Sequence, residues 1–303
     1  MTIVEPDADG LRRAVELLRG ESVVAFPTET VYGLGADAFN EKAVAEIYRL
    51  KNRPSWNPLI AHVASADAAR TIVDAWPDTA EKLADRFWPG PLTLVLPRGA
   101  GTLAVRVPAH DVALSLLEAV GIPLAAPSAN RSEGISPTTA EHVVRSLPDV
   151  PLVLDGGACA WGIESTVLDL TGDVPRLLRP GALALRAIRE VVGEVALPAE
   201  VDDGVQRPSP GMSRRHYAPR ARLVLVDEIK SLDGYAEPVA VLTYGDRAGT
   251  EVLEESPREY AADLYAALHR LDDAGVATIV ALNPPATEDW LAVRDRLSRA
   301  AAK

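Results

Sequence analysis

Two cations, Lys51 and Arg53, flank Asn52 in the stretch KNRPSWNPL, and Pro54 and Pro58 stiffen the chain around them. Such a pair has two uses: to complement the negative end of a helix, or to face an anion. The rest of the chain supplies companions for the second use. Thr28, Glu29, Thr30 and Tyr32 follow one apolar run, and Asn57 precedes another that contains His62. Arg106 lies between Val105 and Val107, Ser128 and Asn130 close PLAAPSAN, and Ser136 comes soon after. Ser165 and Thr166 open a further run, and Arg179 ends the last. The set holds cations and hydroxyls without a cluster of carboxylates. That inventory suits binding of phosphate and carboxylate, and nucleotidyl transfer in which the protein positions groups and neutralises charge, better than hydrolysis by paired acids.

Each residue also has a structural reading. Lys51 and Arg53 complement a helix end, His62 is a satisfied core histidine, and Ser128 and Asn130 make a turn. Arg106 is harder to explain this way, because an arginine between two inward valines needs solvent or an anionic partner. Trp88-Pro-Gly-Pro91 contains nothing that ionises and reads as structure, and Cys159, with no basic neighbour in GGACAWG, reads as an inert small residue. There is no G-x-S-x-G elbow and no Walker loop, and GLGADAF lacks the third glycine of a dinucleotide fingerprint.

The elements that must carry these residues follow from periodicity and caps. Asp7 or Asp9 caps a first helix with an apolar face at Leu11, Val15 and Leu18, stopped by Gly20. SVVAF is a buried strand ending in the loop PTETVYGLG, whose glycines at 33 and 35 permit unusual backbone angles. Asn40 caps a helix facing inward with Val44, Ile47 and Leu50 or Lys51, and Pro54 forbids its continuation. Strands are expected at LIAHV, LTLVL, AVRVP, LVLD, STVLDL and RLLR, with helices over 66–76, 78–87, 111–120 and 183–192. Thr138 with Glu141 makes a capping box for a helix to Leu147. Several strands come in direct succession, so a twisted mixed sheet fits better than a parallel one. A proline-rich polar stretch follows, and then LVLV, AVLTY and TIVAL interleave with helices over 257–273 and 287–301 as a small α/β domain.

At 303 residues the chain exceeds what one core usually covers. A net charge of −12 argues against a surface that coats nucleic acid while allowing a local basic cavity. A single cysteine excludes a disulfide framework and fits a reducing cytoplasm, and with no targeting or membrane-spanning segment apparent in the sequence, a cytoplasmic protein is expected.

Taken in order, PTETVYGLG, KNRPSWNPL, AVRVP, APSAN, ESTV and RLLRPG resemble the YrdC-like domain over about residues 5 to 195. SPGMSRRHYAPR (209–220) looks like the linker of the long-form threonylcarbamoyl-AMP synthases, and WLAVRDRLSRAA resembles the last helix of their C-terminal domain. The resemblance implies an α/β fold in three parts. A twisted mixed-sheet YrdC-like catalytic domain spans 1–195, a linker acting as a flap over the active site spans 196–220, and a smaller Rossmann-like α/β domain spans 221–303. The implied reaction joins L-threonine, bicarbonate and ATP into threonylcarbamoyl-AMP and diphosphate. The product serves N6-threonylcarbamoyladenosine formation in tRNA and passes to the tRNA threonylcarbamoyl-transferase complex, with no stable nucleic-acid binding.

By the same resemblance, Lys51 and Arg53 act at the ATP phosphates and the carbamate. Asn57, Thr102, Ser128, Asn130, Ser136, Arg179, His216 and Tyr217 complete the ATP site, and Thr30, His62, Arg106 and Ser165 bind threonine. Mg2+ is expected on ATP, held by phosphate and water rather than by protein ligands. Arg214 joins His216 and Tyr217 in the flap. Ser213-Arg214-Arg215 departs from the family's more frequent basic residue followed by tyrosine, and the C-terminal domain is short. The rival reading is a non-catalytic RNA-binding or ribosome-maturation module. Relatives in hydrogenase-maturation carbamoyltransferases carry cysteine-rich zinc modules that this chain lacks. Alanine at Lys51 or Arg53 is expected to abolish turnover with little change in melting temperature.

Overall fold

The computed structural model describes residues 2–197 and 215–302. The N-terminal part runs β1 (Thr2–Val4), α1 (Ala8–Arg19), β2 (Val24–Phe26), β3 (Gly33–Asp37), α2 (Glu41–Lys51), β4 (Ile60–His62), α3 (Ala66–Arg70), α4 (Asp78–Phe87) and β5 (Leu92–Arg98). It continues with β6 (Gly101–Arg106), α5 (Asp111–Val120), β7 (Leu124–Ala125), α6 (Ala140–Ser146), β8 (Leu152–Leu154), β9 (Thr166–Asp169), β10 (Arg176–Arg179) and α7 (Leu185–Val192). The C-terminal part holds β11 (Arg222–Val226), β12 (Val239–Tyr244), β13 (Glu251–Leu253), α8 (Pro257–Asp273), β14 (Thr278–Leu282) and α9 (Leu291–Ala301).

The first part forms one mixed sheet in the order β1-β8-β2-β3-β7-β4-β6-β5-β9-β10, and the second a parallel sheet in the order β11-β14-β12-β13. A mixed-sheet α/β unit followed by a small parallel one is the expected fold class. Parallel pairing of β4 with β6 sets His62 beside Arg106, and that of β5 with β9 sets Leu92 beside Thr166. These registers gather polar side chains from distant stretches of sequence.

Helix ends follow the local chemistry. Asp7 accepts from Gly10 N at the start of α1, and Asn40 accepts from Lys42 N and Ala43 N at the start of α2. α2 stops on Asn52, whose φ of 50° is left-handed, a conformation asparagine tolerates better than most residues. Arg53 N then bonds back to Tyr48 O, so the chain turns before Pro54 acts.

Three expectations are corrected. Thr139, not Thr138, caps α6 by accepting from His142 N, while Thr138 Oγ1 turns to His142 Nδ1. PTETVYGLG is not loop throughout, since Gly33 and Gly35 lie in β3. Their use is space rather than unusual angles: a Cβ on Gly35 would stand 2.6 Å from Phe26 Cε1. Finally, β1 and β13 went unanticipated, and each is a three-residue strand at a sheet edge, too short for an alternating pattern.

One apolar cluster joins the two parts. Leu242, Tyr260, Leu264, Tyr265, Leu268 and Leu297 pack with Val31, Ile135 and Ile163 of the N-terminal part. Gly162, at φ 68°, lies so close to α8 that a Cβ would meet Ala262 O at 2.2 Å.

Candidate active site

The strand ends of the large sheet and residues 216–217 enclose a small cavity. Arg53, Arg106 and Arg179 line it together with Thr30, His62, Ser128, Ser165, Glu164, His216 and Tyr217. Nine of the residues expected in the site therefore reach one wall. A further group lies behind it, and one residue stays away.

Arg53 is buried, with Nη2 donating to Pro58 O at 3.0 Å, which is how the rigid 54–58 turn aims it. Burial brings its pKa down to about 10, so it stays charged at neutral pH. Arg106 donates from Nε to Gly90 O and from Nη2 to Thr30 Oγ1 at 3.0 Å. The same Nη2 sits 2.7 Å from Glu29 Oε1, yet neither Glu29 oxygen has an aligned hydrogen bond among the described residues, so the contact is ionic. Arg106 thus has the anionic partner its setting called for. Arg179 donates to Ser165 O at 2.9 Å and to Ser165 Oγ, which also meets Thr93 Oγ1.

His62 is held by Ile60 O and is 3% exposed. Burial, then nearby Arg106, lower it to about 3, so it is neutral at physiological pH. It is a buried histidine whose ring also lines the cavity. Cys159 is buried, and burial pushes its thiol up to about 12, which leaves it unreactive.

Behind the wall, Lys51 Nζ donates to Ser128 O and Asn130 O, both at 2.6 Å. Burial, then Arg53, push its pKa well below the ordinary lysine range. Its visible work is to lock the loop 128–130, and that changes what removing it should do. Asn130 Nδ2 bonds to Gly134 O, Ser136 Oγ to Glu164 Oε1, and Asn57 offers its carbonyl to Arg53 and Tyr48. Thr102 is exposed and pairs with Pro97 in the β5–β6 hairpin. Thr102 lies four residues before Arg106 along β6, about 13 Å of strand, which carries it out of the cavity.

Residues 216–218 are held from both parts of the chain. Ala218 N bonds to Glu133 O, and His216 N to Arg299 O. Tyr217 stands at φ 61°, which costs a bulky residue roughly 1–3 kcal/mol. Its ring stacks on Tyr265 and lies under Arg296, whose Cζ is 4.9 Å from the ring centre. His216 Nδ1 and Tyr217 OH are buried without hydrogen-bond partners among the described residues. Arg214 lies outside the described residues.

The site also contains two acids to which the sequence reading assigned no role. Glu164 lines the cavity and takes hydrogen bonds from Ser136, Tyr265 and Arg296. Burial works to raise its carboxyl, but Arg296, then Arg179 and Ser136, outweigh that and hold it at about 2. Glu29 is the second. ESTV contained the clue to Glu164, an acid directly before a buried strand. Its partners Tyr265 and Arg296 come from so far along the chain that no local pattern announces them.

The family model described as "Telomere recombination" (Sua5, YciO and YrdC) matches residues 16–181, and that described as "Threonylcarbamoyl-AMP synthase, C-terminal domain" matches 183–302. The threonylcarbamoyl-AMP synthase of Pyrococcus abyssi is 42% identical over 96% of this chain and 93% of its own length. That of Bacillus subtilis is 41% identical over 96% and 92%. A crystal structure of P. abyssi Sua5 complexed with L-threonine is similar with a TM-score of 0.84 and 38% identity, covering 96% of this chain and 94% of that one.

Proposed function

The chain belongs to the threonylcarbamoyl-AMP synthase family, and we propose that it condenses L-threonine, bicarbonate and ATP into threonylcarbamoyl-AMP and diphosphate in the cavity described above. The observation that carries this reading is three buried arginines around hydroxyls and a neutral histidine, in a chain whose net charge is −12. The substrates are anions that repel each other, and fixed cations in a dry cavity are what align them.

Arg106, braced by Glu29, holds the threonine carboxylate, and Thr30 and Ser165 take its polar groups. Neutral His62 accepts a hydrogen bond from the amine without repelling it, and is too weak a base to take its proton. Joining threonine's ammonium to bicarbonate gives a carbamate and releases one water and one proton. A carbamate oxygen then bonds to the α-phosphorus while the bond to diphosphate breaks, so no protein nucleophile is needed. Arg53 and Arg179 face the charge that develops on phosphorus. Ser128 borders the nucleotide, while Lys51, Asn130 and Ser136 shape the site from behind. Magnesium would come with ATP, held by phosphate and water rather than by protein ligands.

The cavity volume is about 50 Å³, room for a few waters at roughly 10–15 Å³ each. ATP therefore requires His216 and Tyr217 to withdraw, and their return shields the labile product from water. The product goes on to the enzyme complex that modifies tRNA. The described residues include no helix long and apolar enough to cross a membrane. A non-catalytic RNA-binding module is not favoured, since the relatives aligned end to end are synthases.

The test is diphosphate release from ATP. It should require both threonine and bicarbonate; release at an unchanged rate with threonine omitted would refute the reading.

A further inference from the structure

We propose that Arg296, on the last helix of the C-terminal part, is a positioning residue of the active site, acting through Glu164 and Tyr217. The inference rests on the synthase reading and gives the C-terminal part a role within it. The Arg296 side chain is 0% exposed, and Nε donates to Glu164 Oε2 at 2.9 Å. Nη1 ties the same guanidinium to Pro180 O at 2.8 Å and to Asp295 Oδ2 at 2.7 Å. Tyr265 OH reaches the same Glu164 oxygen at 3.0 Å, and Ser136 Oγ donates to the other at 2.5 Å.

A buried ion pair is weak as a stabilising device, because desolvating both charges offsets most of their attraction. Apolar side chains would join the two parts at least as firmly, and the surrounding interface is in fact apolar. The pair stands instead where its geometry matters. Glu164 lines the cavity and directly precedes Ser165, whose carbonyl holds Arg179. The face of the guanidinium carries the Tyr217 ring in its left-handed position. Arg296 therefore sets one cation and one aromatic of the site without touching the substrates.

Steady-state kinetics on the full chain tests this, with Arg296→Met, Arg296→Lys and the control Leu271→Ala, which opens a cavity in the apolar cluster and leaves the hydrogen-bond partners of Glu164 in place. Arg296→Met should lower kcat/KM for ATP by about tenfold to a hundredfold, and Arg296→Lys should recover part of the loss. Leu271→Ala, assayed well below its melting temperature, should stay near wild type. Combined with Glu164→Gln, Arg296→Met should add little to the loss from Glu164→Gln alone. If Arg296→Met does not fold, Tyr265→Phe removes only the hydroxyl on Glu164 and should still cost severalfold. Equal losses in Arg296→Met and Leu271→Ala, additive effects in the cycle, or no effect of Tyr265→Phe would overturn the proposal while wild-type turnover stands. Absence of threonine-dependent turnover in the wild type would instead overturn the synthase reading.

Discussion

Lys51→Ala is expected to lower the free energy of unfolding by about 2–4 kcal/mol and to abolish diphosphate release. Arg53→Ala is expected to abolish release with a stability loss near 1 kcal/mol. The two cations that stand together in KNRPSWNPL differ in what they hold. Lys51 satisfies a buried and a part-buried carbonyl of the loop 128–130, and alanine leaves both without it while opening a cavity. Arg53 has one good carbonyl bond, to Pro58, and alanine there also removes a buried cation that lies near Lys51 and Arg179. Denaturant unfolding and diphosphate assays on both variants decide the matter. Equal stability losses would show that the loop does not depend on Lys51. Retained turnover in Arg53→Ala would remove it from the reaction. Little change in melting temperature is therefore expected for Arg53→Ala, and a clear fall for Lys51→Ala.

Stability should also fall steeply on mild acidification. Burial is the main cause holding His62, His142 and His216 at about 3 and His269 at about 4. In the unfolded chain a histidine titrates near 6.5, so as pH drops below that value the unfolded state binds protons that the native state refuses. The stabilisation is complete above about pH 6.5 and is lost progressively towards pH 3–4. Each histidine loses up to about 1.4 kcal/mol between pH 7.5 and 5.5, and the four together up to about 5 kcal/mol. Glu164, held at about 2, extends the loss below its ordinary carboxyl range. Urea unfolding at the two pH values measures the difference directly. A flat profile would mean that these rings are open to solvent in solution. His142 and His269 stack at 3.8 Å across the two parts of the chain, so Asp or Glu in place of either ring should not reproduce the wild-type profile.

What could be read from sequence was local. Capping by Asp7 and Asn40, the boundaries of α5, β10 and α8, and the polar content of the strand ends all follow from nearest neighbours. The placement of Arg106 beside His62 needed only the correct strands, although their register came from the sheet. What escaped was set by distance or by space. Gly33 and Gly35 were read for angles when Phe26 required room. Thr102 looked close to Arg106 until the length of the hairpin was known. Glu164 was passed over because its neutralising partner Arg296 lies far along the chain, and Glu29, though in the inventory, was not paired with Arg106.

The apolar cluster that joins the two parts has a consequence for how the molecule comes apart. Two sheets suggest two folding units, but Ile163, Ile135 and Val31 are buried in one apolar cluster with residues of α8 and α9, and Arg296 of α9 pairs with Glu164. Loosening the smaller sheet would expose apolar surface and strand a buried carboxylate in the larger one. The architecture is therefore divided while its cooperativity is not, and calorimetry should find one transition rather than two. Residues 2–197 produced alone would then be a fragment of the folding unit, and not a smaller version of the enzyme.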